Sequence, residues 1–373
     1  MNTSQHDRDE HFMRKAIALG EKSRLISPPN PWVGCVIVQN DQIIGEGSTK
    51  PAGDSHAEVV AIQSAKNTTQ DATAYVTLEP CSHHGKTPPC VNALIKAKIA
   101  RVVVAVQDPD PQVNGTGIKL LRKAGIEVST GVCEKEASQS LAPYIHQRKT
   151  KRPFCLLKTA MSIDGRTAAA DGSSQWISSM EARIDAHQLR AESQAIVIGS
   201  GTALADNPFL TVRHIHPLPI RPPLRIILDS TGRVRPPMNI FDTEQAPTLM
   251  IGSARTPIET IELWKKSGAD TAILPLNQSG QGIDFSAFLD FLGNKGIIQI
   301  LVEGGASLNG EIIREALFQR LIIYVGETIL GDRGIPVFKN IFIANMKEAM
   351  RLRLLETKTL GNSVRLEFAS LIE

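Results

Sequence analysis

The densest chemistry in the chain is the stretch TLEPCSHHGKTPPC at 77–90, which crowds two thiols, two imidazoles, an ammonium and three prolines into one stiff segment. Upstream stands HAE at 56–58. His56, Cys81 and Cys90 together offer one imidazole and two thiolates, ligands of the softness zinc takes. Three protein ligands leave one tetrahedral corner open, the arrangement of a catalytic rather than a structural zinc. Water bound at such a corner ionises near neutral pH. Glu58 would close the shell if it ligated, so its expected work is to move a proton between that water and a substrate. His56 and Cys90 are expected at helix starts, where partial positive charge favours the Cys90 thiolate.

The loop has two other readings, a disulfide and polar filler. Five cysteines over 373 residues is an odd count and makes no framework. The opening residues, MNTSQHDRDEHF, hold no apolar signal region, and no apolar run approaches membrane-spanning length. The chain is therefore expected in the cytoplasm, where thiols stay reduced, and a Cys81–Cys90 disulfide is the weaker alternative. A net charge of +3 with 21% charged residues lacks the electrostatic footprint of a nucleic-acid binder, though an anionic small molecule would be welcome. The hydrophobic share of 42% is that of a globular protein, and the length points to two domains.

Positioning these groups calls for alternating helices and strands. Phe12, Ala16, Leu19 and Gly20 recur at helical spacing over 11–24; 32–38 reads as a strand, Asn40-Asp41 as a hairpin turn and 42–45 as the partner strand. Residues 56–66 read as a helix, 74–78 as a strand delivering the chain into the quoted loop, and 91–97 as a helix leaving it. A strand at 101–106, a helix at 117–124 and a strand at 127–132 complete a layered α/β domain. The basic run HQRKTKRP at 146–153 reads as a solvated linker rather than a nucleic-acid patch, which sets domains at 1–148 and 149–373. A second α/β series follows, with strands in FCLLKTAM, QAIVIGSG, LRIILDS, TLMIGS, TAILPL and IIQILVEGG, then RLIIYV and SVRLEFA. No G-x-G-x-x-G occurs in it. ILVEGGASLNGE at 300–311 sets a buried strand, a Gly-Gly turn and a helix start in sequence, where bare amides can cradle phosphate; a plain tight turn explains the pattern equally when it stands alone.

The order His-x-Glu, Pro-Cys, Cys is the signature of zinc nucleobase deaminases, whose usual spacing is C-x-x-C. Here eight residues separate Cys81 from Cys90. That expanded loop, with NPWVGCVIV at 30–38 and QDPDPQVNGTG at 107–117, resembles the deaminase of riboflavin biosynthesis. LKTAMSIDGRTA at 157–168, SQWIS at 174–178, IGSGTALADNPFLTVR at 198–213 and VEGG at 302–305 resemble the reductase of the same pathway. Nearly the whole chain, in this order, is similar to the family of bifunctional bacterial deaminase/reductases.

The resemblance implies an α/β fold class with a cytidine-deaminase-like three-layer N-terminal domain and a dihydrofolate-reductase-like α/β C-terminal domain. It implies one zinc ion per chain on His56, Cys81 and Cys90, Glu58 as the catalytic acid and base, and NADPH in the second domain. Asn30, His83 and Lys86 would touch the deaminase substrate, with solvated loop residues as the alternative for His83 and Lys86; an ammonium there suits a phosphate. Ala160, Trp176, Thr202, Asp206 and Ser230 would face the dinucleotide, as would Gly305, Ala306, Ser307, Leu308, Asn309, Gly310 and Glu311. Ser174, Arg190, Leu210, Arg213 and Glu303 would face the reductase substrate. Arg190 and Arg213 offer planar forks for a ribose phosphate, Glu303 accepts hydrogen bonds, and Trp176 supplies a flat wall. Lys158 and Asp164 match the family without an evident role, and Thr49 stands where the family usually has His, removing one expected substrate contact. The family's reductase domains associate, which implies a homo-oligomer acting on a phosphorylated pyrimidine, with no nucleic-acid or membrane partner.

Two rivals share part of this pattern. A tRNA or free-nucleoside deaminase would use the same ligands but leaves the second domain unexplained, and action on RNA calls for a stronger basic surface. A non-catalytic nucleotide-binding protein with structural zinc needs a fourth ligand and leaves Glu58 without a task.

Overall fold

Valine- and isoleucine-rich runs form the spines of the two units into which the chain divides, Met1–Lys151 and Arg152–Glu373. The computed structural model describes residues 4–65, 69–85 and 87–371. The first unit runs α1 (Gln5–Glu21), β1 (Gly34–Gln39), β2 (Gln42–Ser48), α2 (Ala57–Ser64), β3 (Thr73–Leu78) and α3 (Cys90–Lys96). It continues with β4 (Arg101–Val106), α4 (Thr116–Lys123), β5 (Glu127–Thr130), α5 (Glu134–Ser140) and α6 (Ala142–Thr150). The strands lie in the order β2-β1-β3-β4-β5, antiparallel across β2, β1 and β3 and parallel from β3 to β5. Asn40 and Asp41 both take positive φ, the backbone a two-residue hairpin needs to match strand twist. Helices α1 and α5 lie together, and α2, α3 and α4 form a second helical layer, so the sheet carries helices on both faces. That double cover buries Val36, Ile37, Val76, Val103 and Val104 completely.

The basic run read as a linker is mostly helix. Pro143, Tyr144 and Gln147 anchor one side of α6, while Lys149 and Thr150 are exposed. The cations are its solvated face and last turn, and Lys151 ends it at φ +63°.

The second unit runs β6 (Phe154–Met161), β7 (Arg166–Ala168), α7 (Met180–Glu192), β8 (Ala195–Gly199), α8 (Ser200–Asp206), β9 (Leu224–Leu228), β10 (Thr248–Gly252), α9 (Ile258–Lys266) and β11 (Asp270–Ile273). Then come α10 (Phe285–Asn294), β12 (Gln299–Val302), α11 (Ala306–Arg314), β13 (Arg320–Val325), β14 (Ile335–Pro336), β15 (Leu352–Leu360) and β16 (Ser363–Ser370). Nine strands form one sheet, β11-β10-β9-β8-β12-β6-β13-β16-β15, parallel as far as β13 and antiparallel over the last two; β7 and β14 pair separately. Alternate residues of the central strands feed two cores. Ala195, Val197, Ile226 and Ile300 meet Phe285 and Phe288 of α10 on one face. Ile196, Ile198 and Ile227 meet Trp264 of α9 on the other. Burial on both faces is what makes these parallel strands read as continuous apolar runs. Among the described residues no helix is long and apolar enough to cross a membrane.

Candidate active sites

His56 is the N-cap of α2, and Glu58 lies in its first turn. Cys81 follows β3 by three residues, and Cys90 opens α3 behind the stiff cap of Pro89. The fold thus brings residues 34 positions apart to one point. His56 Nδ1 lies 3.6 Å from Cys81 Sγ and 3.3 Å from Cys90 Sγ, and all three ligand atoms fall within 4.8 Å of one another. A tetrahedral zinc with bonds of about 2.3 Å to sulfur and 2.0 Å to nitrogen holds its ligand atoms about 3.5–3.8 Å apart, so the donor set fits that ion in both chemistry and spacing.

One sulfur of the pair is set as a thiolate. The hydrogen bond to Cys81, burial and the nearby Glu58 instead hold the Cys90 thiol well above its usual range, against the thiolate expected at its helix start. Hydrogen bonds from Cys90 and His56 pull the Cys81 thiol down to about 4, a thiolate at neutral pH. The Cys90 amide also donates to that sulfur at 3.3 Å. Glu58 is 3% exposed, and burial pushes its carboxyl up to about 7, with the Cys81 charge adding to the rise. It stands outside the three-ligand cluster, hydrogen-bonded to Cys90. A buried carboxyl beside a three-ligand site can both take and give a proton near neutrality.

Neighbouring groups hold this frame. The buried Glu79 carboxylate accepts from the amides of Asp108, Gly115 and Ile118, which ties the strand before Cys81 to the start of α4. Thr87 Oγ1 lies 3.5 Å from His56 Nε2, the ring nitrogen facing away from the sulfurs. Neither Glu79 nor Thr87 stands out in the sequence, because their partners are backbone amides or lie 31 residues away. Thr49 is buried, and its hydroxyl accepts from the Val33 amide at 3.1 Å, so that position braces the chain before β1. Asn30 is half-buried, with its amide donating to the Ser27 carbonyl, and His83 is exposed on the loop. Lys86 lies outside the described residues.

In the second unit, the carboxyl ends of the parallel strands open into a cavity of about 1270 Å³. That exceeds the about 300–1,000 Å³ usual for one small ligand and leaves room for two side by side. Ala160, Trp176, Thr202, Asp206 and Ser230 line it, and so do Gly305, Ala306, Ser307, Leu308 and Glu311 from the α11 end. Ser174, Arg190, Leu210, Arg213 and Glu303 line the same space. Helix α11 begins at Gly305 with no side-chain cap, which leaves its first amides bare toward the cavity, as a phosphate requires. Asn309 and Gly310 stand apart from the lining. Asn309 is buried with its amide toward the Val337 carbonyl, and Gly310 faces the Lys339 backbone. Trp176 is 66% exposed and lies against the Arg183 guanidinium at 4.2 Å, a rim position.

The sequence expectation for Arg190 changes on this geometry. Its Nε and Nη2 donate to Glu303 at 2.6 and 2.9 Å, and its Nη1 donates to the Thr211 carbonyl at 3.0 Å. The fork that looked ready for phosphate grips a carboxylate. Lys158, without a role in the sequence reading, places Nζ 3.6 Å from Glu303. Although burial opposes ionisation, Arg190 and Lys158 hold the Glu303 carboxyl well below the usual range. His187 is buried and accepts the Arg213 amide on Nδ1 at 3.1 Å; burial and the adjacent Arg190 and Arg213 push it down to about 4, so it is neutral. Asp164 accepts from the Ser162 hydroxyl and from the amides of Leu330 and Gly331, a loop-fastening role.

A zinc-type His/Cys/Cys centre with a buried acid on one α/β unit, and a glycine-edged, basic cavity at strand ends on another, define a two-site deaminase–reductase class of protein. Residues 6–106 match the profile of the cytidine and deoxycytidylate deaminase zinc-binding region, and residues 153–366 match that of the RibD C-terminal domain. Riboflavin biosynthesis protein RibD of Chlamydia pneumoniae is 45% identical over 359 residues, covering 95% of this chain and 93% of that protein. The structure of Acinetobacter baumannii RibD superimposes with a TM-score of 0.88 at 37% identity, over 98% of this chain and 99% of that one. A Thermotoga maritima diaminohydroxyphosphoribosylaminopyrimidine deaminase/5-amino-6-(5-phosphoribosylamino)uracil reductase superimposes at 0.85 and 31% identity, over 98% of this chain and 100% of that one. The chain belongs to the RibD family.

Proposed function

We propose that this chain performs two consecutive steps of riboflavin biosynthesis. The first unit deaminates 2,5-diamino-6-(5-phosphoribosylamino)pyrimidin-4(3H)-one hydrolytically, and the second reduces the ribosyl side chain to ribityl with NADPH. The observation that carries the reading is the buried Glu58 carboxyl beside the His56, Cys81 and Cys90 cluster. His56, Cys81 and Cys90 would hold zinc, and Gly305 to Leu308 and Glu311, with Thr202 and Ser230, would hold NADPH. Zinc, when bound, supplies Lewis acidity that makes water nucleophilic near neutral pH, and NADPH supplies hydride. Glu58 takes the proton from the attacking water and passes it to the departing amine, which leaves as ammonia. In the second unit Glu303, kept ionised by Arg190 and Lys158, accepts hydrogen bonds from the substrate's N–H and O–H groups. Arg213, whose guanidinium rests over Phe209 at 5.8 Å, is the fork left to meet the substrate phosphate.

The same reading includes a cytoplasmic homo-oligomer joined through the reductase unit. Exposed apolar side chains on β15 and the segment before it, Phe342, Met346, Leu354 and Leu355, support that association. The two-site assignment is tested by Glu58→Gln. Ammonia release should vanish while NADPH oxidation on the deaminated intermediate persists. Loss of both activities in a folded variant would contradict two separate sites.

A further inference from the structure

The groups that select NADPH over NADH are not evident from motif or resemblance, and the end of β9 supplies a candidate. In dinucleotide sites the adenosine ribose is read by a charged side chain at a strand end. An acid there binds the free 2′-hydroxyl, and an arginine there accommodates a 2′-phosphate. Strands β8 and β9 are parallel neighbours joined through α8, and Asp229 follows β9 directly. Asp229 is fully buried, and its two oxygens accept the amides of Gly232 at 3.1 Å and Val234 at 2.7 Å. The acid is thereby turned inward and occupied, so it cannot serve a ribose hydroxyl.

The same turn aims a cation outward. Gly232 takes φ +72°, and a side chain there would press on Thr256, Thr260 and Pro257, so the turn needs glycine. The Ser253 hydroxyl donates to the Ser230 carbonyl at 2.6 Å and pins the turn from behind. Arg233, exposed on the cavity wall, then reaches back to donate from Nη2 to Ser200 Oγ at 2.7 Å. That partner is a neutral hydroxyl. The other arginines on the wall are engaged differently: Arg190 with Glu303, Arg314 with Glu315, Arg183 over Trp176 and Arg213 over Phe209. Ser200, Ser230 and Thr231 stand beside Arg233 on the wall and offer hydroxyl donors.

We propose that Arg233, steadied by Ser200, receives the 2′-phosphate of the dinucleotide and makes this cavity prefer NADPH. The inference rests on the reductase reading of the second unit. It is tested by the equilibrium affinities of NADPH and NADH, measured by fluorescence or calorimetry on the full chain without substrate. Arg233→Gln should weaken NADPH about ten- to hundredfold, the scale of lost hydrogen bonds to a charged group, and leave NADH unchanged. Ser200→Ala should weaken NADPH less and in the same direction. Arg235→Ala, whose guanidinium donates to Thr260 and does not line the cavity, should change neither. Unaltered preference in Arg233→Gln, or an equal loss of both nucleotides, would overturn the inference while the reductase reading stands. A wild-type chain that binds neither nucleotide would overturn both.

Discussion

Arg190 and Glu303, 113 residues apart in sequence, meet through a two-point ion pair with side chains only 14% and 11% exposed. Truncation at Arg190→Ala leaves a buried carboxylate with Lys158 at 3.6 Å as its remaining cation. Breaking such a pair costs about 3–5 kcal/mol, far more than a surface bridge. The expected outcome is a lowered melting transition of the second unit and loss of NADPH oxidation, with ammonia release unchanged. Arg190→Lys should restore little, because an ammonium cannot reproduce the fork. Parallel assays of the two half-reactions check this.

Asp108 gives the first unit a defined pH response. Burial raises its carboxyl from 3.8 to about 6, although the Asp110 amide and the Tyr144 hydroxyl both donate to it. Between those values the folded state holds a proton that the unfolded chain has released. Stability from this group is therefore full below about pH 4 and is lost as pH rises through 6, by roughly 2–3 kcal/mol. Asp108→Asn should remove that decline, seen in denaturation midpoints measured from pH 4 to 7. A slope unchanged in the variant would place the ionisation elsewhere.

Gly310 should prove a packing residue. An added methyl would sit 1.8 Å from the Lys339 carbonyl oxygen, and backbone cannot step aside cheaply. Gly310→Ala is expected to cost about 1–3 kcal/mol or more and to displace α11, while Ser307→Ala, on the cavity wall, leaves stability nearly intact. Thermal melts of the two variants separate the roles.

Much of this architecture could be read from residue patterns, because buried parallel strands leave unbroken apolar runs. β4 matches its sequence bounds at Arg101–Val106, and most other strands differ by a few residues. The elements that escaped lack that signal. α5 buries only Ala137, and β15 is exposed through Arg353–Thr359, so neither shows a strong apolar face. His56, Glu58, Cys81 and Cys90 were legible because zinc chemistry restricts residue type and local spacing. The partners of Lys158, Arg190 and Asp164 were not, since each depends on a residue or amide more than a hundred positions away. The inward turn of Asp229 is likewise a property of backbone geometry, invisible in residue type.

Chelation should separate the halves. Metal removal is expected to stop ammonia release while NADPH affinity, which depends on the second unit, stays within about twofold of its starting value, a difference below about 0.5 kcal/mol. Zinc added back should restore deamination.

X-ray absorption at the zinc edge bears most directly on the whole account. The expected spectrum has two sulfur neighbours at about 2.3 Å and lighter atoms at about 2.0 Å, with one zinc per chain. Four sulfurs, or a folded chain that deaminates fully with no zinc, would contradict it.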